Sequence, residues 1–143
     1  MAEEVQVLPI AAYISAANTH DATALLATFS DSAVVTDGIL EFHGIAAVRE
    51  WGNREIIEPQ VTLNVTGVMQ MGEETIVTTK VDGNYDKTYI PDPLFLDHHF
   101  IVRDNKIDTL MIQMTGEKPS MWRDGIAVQP RAPKIKKNTE ETE

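Results

Sequence analysis

The chain has 143 residues, no cysteine, and 12 Lys+Arg against 22 Asp+Glu for a formal net charge of −10. That length suits one domain with a hydrophobic core of its own, and the acidic field disfavours nucleic acid and anionic membrane surfaces as partners. Thiol catalysis, thiolate metal sites and disulfides are excluded.

The first residues, MAEEVQVLPI, lack a basic-then-apolar leader. No run approaches the ~18 apolar residues of a membrane span. A cytoplasmic location is expected.

Pro9 sits where a helix can begin, because a first-turn proline gives up no needed N–H. Ile10, Tyr13, Ile14 and Ala17 then share one helical face. Asp21 can cap a second, short helix that buries Leu25, Leu26 and Phe29. A strand is expected over 33–37 and a shorter extended piece over 39–42. Gly44 precedes a third helix whose apolar stripe is Ile45, Val48, Trp51 and Ile56, closed by Pro59.

From Val61 the period changes to two. Val61, Leu63, Val65, Met69 and Met71 alternate with Thr62, Asn64, Thr66 and Gln70, and a second strand carries Val77, Thr79 and Val81. Residues 83–97 read as irregular. Two last strands, 96–103 and 107–114, flank a hairpin turn at Asp104-Asn105-Lys106. Beyond Met114 periodicity is lost, and 119–143 reads as a mobile, largely disordered tail after a domain over 1–118. Helices first and a four-strand meander after them predict an α+β fold: a curved, cone-shaped antiparallel sheet wrapped over three N-terminal helices.

Asp37 shares its strand face with Val35 and Ala33. Two environments fit it. In an apolar pocket its proton affinity rises and it becomes a candidate base, whereas Asp37-Gly38 between apolar runs is also a strong hairpin signal. Tyr13 is either a core tyrosine or a pocket hydroxyl. His98 and His99 point to opposite faces of a strand, which argues against one metal held by the pair. His98 goes inward with Leu96, Phe100 and Val102, while His99 goes to a more polar outer face. Trp51, Met69 and Phe100 line a ligand cavity or fill the core. His20 and His43 look exposed. No nucleophile elbow, phosphate loop or dinucleotide fingerprint occurs, so neither a metal nor an organic cofactor is implied.

Three segments, AAYISAANTHDATALLATFSDSAVVTD, HGIAAVREW and HHFIVRDNKIDTL, give the chain over about 9–114 a sequence that resembles the nuclear transport factor 2-like superfamily. That group includes ketosteroid isomerases and SnoaL-like polyketide cyclases. The resemblance implies Tyr13 as an oxyanion-binding tyrosine, Asp37 as the general base, and His98 in place of the protonated aspartate of ketosteroid isomerase. It implies a small-molecule enzyme moving a proton beside a carbonyl of a hydrophobic substrate, with Trp51, Met69 and Phe100 around that substrate, and a homodimer paired through the sheet. The alternatives are a dehydratase or hydrolase using Asp37 with His98, and a non-catalytic ligand-binding or dimerisation module.

Overall fold

The computed structural model describes residues 5–115. The expected tail over 119–143 lies outside the described residues. Among them no helix is long and apolar enough to cross a membrane.

Helix α1 (Leu8–Thr19) carries Pro9 in its first turn, and α2 (Ala22–Ala27) is capped by Asp21, whose carboxylate accepts from the Ala24 N–H at 3.0 Å. Strands β1 (Phe29–Asp37) and β2 (Leu40–His43) form a hairpin, with Gly38 at φ 66 as the first residue of a two-residue turn. Helix α3 (Ile45–Gly52) continues into a π-helical turn, Asn53–Ile57. The five-residue step from Trp51 to Ile56 is the register of an i→i+5 helix, and the Glu58 N–H bonds the Asn53 carbonyl at 2.9 Å.

The remaining strands are β3 (Thr62–Met71), β4 (Glu74–Asp82), β5 (Leu94–Arg103) and β6 (Lys106–Met114), in the sheet order β2-β1-β6-β5-β4-β3. The β5–β6 turn is Asp104-Asn105, both at positive φ (52 and 63), as a type I′ hairpin requires. The helices pack on the concave face over Val35, Val77, Phe100, Ile107 and Leu110.

The sheet is mostly antiparallel, as expected, with one parallel pair that the sequence left unassigned: β6 lies beside β1 in the same direction, since alternation reveals which face is buried but not the direction of the partner strand. Three points correct the sequence reading. Strand β3 does not keep one face throughout. An extra residue at Thr66 makes a bulge, so Val65 opposes Thr79 but Gly67 opposes Thr78. Past that point the phase flips: Leu63 stays inside, while Met69 and Met71 go to the outer face at 55% and 50% exposure. His99 is on the outer face but buried, with Nδ1 3.0 Å from the Glu74 carboxylate. His20 is half-buried and its Nε2 meets the Val61 carbonyl at 2.9 Å.

The end of α1 holds β3 in place at the sheet edge. Asn18 donates to the Leu63 carbonyl (2.9 Å) and accepts from the Leu63 N–H (2.7 Å), taking the place of a neighbouring strand. Asn18→Ala should therefore cost about 1–2 kcal/mol of stability in urea denaturation. An unchanged midpoint would show that water replaces both bonds without loss.

Candidate functional site

The register of the sheet sets the site. One inner row runs across four strands: Asp37 on β1, Ile112 on β6, His98 on β5, and Val77 on β4. Asp37 and His98 are thus two strand spacings apart, roughly 10 Å between backbones. Helix α1 lays Tyr13 over this row.

Tyr13 is fully buried in an aromatic nest. Its ring meets Phe29 edge-on at 5.8 Å and Phe100 at 5.5 Å, and it is tilted against His98 at 6.5 Å. The His98 ring stacks on Phe100 with centroids 6.1 Å apart. Neither Tyr13 Oη nor His98 Nδ1 has a hydrogen-bond partner, and the same is true of Thr79 Oγ1 on the adjacent strand. Leaving one such group buried and unpaired typically costs about 1–3 kcal/mol.

Burial holds both rings neutral. Desolvation pushes the Tyr13 phenol well above its usual range, and the Asp37 carboxylate adds to that. Burial lowers His98 from 6.5 to about 4; the Val77 backbone carbonyl and Asp97 oppose the shift, and His99 adds to it. At neutral pH the imidazole is uncharged.

Asp37 resolves the two readings of its sequence into one position. It is the last residue before the Gly38 turn, yet it points inward, half-buried. The indole Nε1–H of Trp51 donates to its Oδ2 at 3.1 Å. Trp51 therefore orients Asp37 from α3 and is itself buried, stacked edge-on against Phe29 at 6.5 Å.

Of the residues expected to surround a substrate, Phe100 is a fully buried wedge beneath Tyr13 and His98, Trp51 is the donor to Asp37, and Met69 lies on the opposite face of the sheet. A shallow cleft lined by Leu25, Phe29, Val48 and Trp51 opens between α2 and α3, separate from His98. Two features escaped the sequence reading. The Trp51–Asp37 bond joins elements whose approach no local pattern encodes. Thr79 had a signal, since it sits in the buried phase of Val77 and Val81.

The depressed His98 has a consequence for stability. Between pH 6.5 and about 4 the unfolded chain takes up a proton that the folded one refuses. Stability is therefore complete above 6.5 and falls through this window on acidification, by roughly 3 kcal/mol from this group. His98→Phe keeps the ring and removes the titration, so its loss of stability between pH 7 and 4 should be smaller than wild type by about that amount. Equal acid slopes in urea denaturation would refute the neutral, buried imidazole.

A family model for the SnoaL-like domain matches residues 10–109. The fold is that of a candidate polyketide cyclase from Sinorhizobium meliloti, at TM-score 0.67 and 25% identity over 76% of this chain and 100% of that one. It is also similar to a protein with a ketosteroid isomerase-like fold from Catenulispora acidiphila in complex with trimethylamine, at TM-score 0.62 and 15% identity over 81% and 88% of the two chains. TerC, co-crystallised with polyporic acid, aligns at TM-score 0.61 and 13% identity over 76% and 89%. No curated protein matches the chain. With an α+β, NTF2-like fold and a family match over most of its described residues, the chain belongs to the SnoaL-like domain family.

Proposed function

We propose that this protein is a small-molecule enzyme of the ketosteroid isomerase or polyketide cyclase kind, transferring a proton beside a carbonyl of a hydrophobic substrate. One observation carries the reading. Tyr13 Oη and His98 Nδ1 are buried without partners on the same inner face that receives the Asp37 carboxylate. Asp37 takes the proton from carbon, held in aim by Trp51. Tyr13 donates to the oxygen on which enolate charge develops, with His98 beside it in the row. Small molecules bound to two neighbours of this fold, trimethylamine and polyporic acid, support a small-molecule ligand here.

A second reading, a ligand-binding module without catalysis, is favoured by the Trp51 bond, which already engages one Asp37 oxygen as a structural carboxylate would be engaged.

Deuterium exchange at the carbon next to the carbonyl of simple cyclic ketones, followed by NMR in D₂O, separates the two, because it needs only proton abstraction. The wild type should accelerate exchange, and Asp37→Asn should lose about 10²–10⁴ of that rate. Loss of one oxyanion donor in Tyr13→Phe should cost about 10²–10³. Wild-type exchange in Asp37→Asn would remove it as the base and leave the binding module.

The outer sheet face, with exposed Met69 and Met71, is the surface through which a homodimer would pair. Sedimentation should give a dimer at tens of micromolar, roughly the range where ordinary dimers are formed, and Met69→Lys should shift it to monomer. A wild-type monomer there refutes the pairing.

A further inference from the structure

Thr79 has no place in the proton transfer described above, yet it is as buried as Tyr13 and its hydroxyl is as unpartnered. A buried threonine on a strand ordinarily finds a carbonyl or another hydroxyl: Thr28 bonds the Leu25 carbonyl at 2.8 Å and Thr75 bonds Gln70 at 2.7 Å. Thr79 bonds neither. It stands on the inner face of β4, two residues along from Val77, which is paired with His98. That makes it the diagonal neighbour of His98, roughly 7 Å away between Cβ atoms. The Tyr13 ring approaches the same histidine from α1.

Three unpaired polar atoms, from α1, β4 and β5, thus belong to neighbouring buried residues of one inner sheet face. We propose that Thr79 is a third recognition group of this site, and that Tyr13, His98 and Thr79 together select an apolar ligand bearing two uncharged oxygen functions, a carbonyl and a hydroxyl. Both signs of hydrogen bond are available there, since the Tyr13 and Thr79 hydroxyls each donate and accept, and His98 Nδ1 adds one further role set by its tautomer. A carboxylate is disfavoured. Among the described residues no lysine or arginine is buried, and the charge nearest the Tyr13 hydroxyl is Asp37.

This inference rests on the interior site proposed above, but it concerns binding and is tested without turnover. The probes are 1-tetralone (carbonyl only), 6-hydroxy-1-tetralone (carbonyl and hydroxyl) and 1-naphthoate (carboxylate), titrated into the full chain by calorimetry and followed at the His98 ring by NMR. The hydroxyketone should bind more tightly than the ketone, and naphthoate at least about tenfold more weakly than either, the range expected for an uncompensated buried charge. Thr79→Val, nearly the same shape, should weaken the hydroxyketone about five- to tenfold, leave 1-tetralone unchanged and leave the free protein no less stable.

Equal loss for both ketones, or none, overturns the role of Thr79. So does a lower melting temperature of free Thr79→Val, which would show a hydroxyl already partnered in the fold. Tight naphthoate binding overturns the neutral selectivity, and no binding of any probe overturns the site. If the hydroxyketone discriminates as expected while Asp37→Asn exchanges deuterium like wild type, the catalytic reading falls and this one stands.

Discussion

The arrangement depends on one cost: the Tyr13 hydroxyl is taken out of water and given nothing in return. A tyrosine at that place in α1 could have been a phenylalanine if filling the concave sheet were its only task, because Phe29, Phe100 and His98 already supply the aromatic contacts. The ring contributes packing and the oxygen subtracts from stability. His98 repeats the pattern, with its stack on Phe100 set against an unpaired nitrogen. Buried groups left unsatisfied in this way call for an explanation beyond packing, and the ligand proposed above supplies one.

Asp37 is treated differently by the fold. Its carboxylate stays half-exposed at the end of β1, where the turn lets solvent reach it, and it accepts a bond from the Trp51 indole. The charged group thus sits toward the rim and the neutral groups sit deep. That gradient follows from the register, since the row from Asp37 to Val77 runs from a strand end to the middle of the sheet.

Much of this was legible in the residues. Pro9, Asp21, Gly38 and Asp104-Asn105 marked starts and turns because each acts through local backbone chemistry, and the change of period at Val61 gave the order of helices and strands. The inward direction of His98 followed from alternation alone. What alternation could not show was any event that resets it. The Thr66 bulge moved Met69 from the expected cavity to the far face, although the letters on either side read as one continuous strand. Partner choice was equally silent: β6 pairs antiparallel with β5 as expected, but nothing in the letters showed that it also lies parallel to β1. The Trp51–Asp37 contact depends on how α3 docks, a tertiary fact without a sequence period.

The parallel pair of β1 with β6 also sets when the site can form. Asp37 and Ile112 are about 75 residues apart in the chain and neighbours in the sheet. A ladder between such distant segments closes a long loop before it gains any contact, which places it among the slow steps of folding. The β3–β6 meander can assemble from local hairpins and already contains His98 and Thr79. Asp37 joins them only when β1 docks on β6, the last strand of the sheet in chain order. During synthesis, the carboxylate therefore meets its two neutral partners only after nearly all of the described chain has been made.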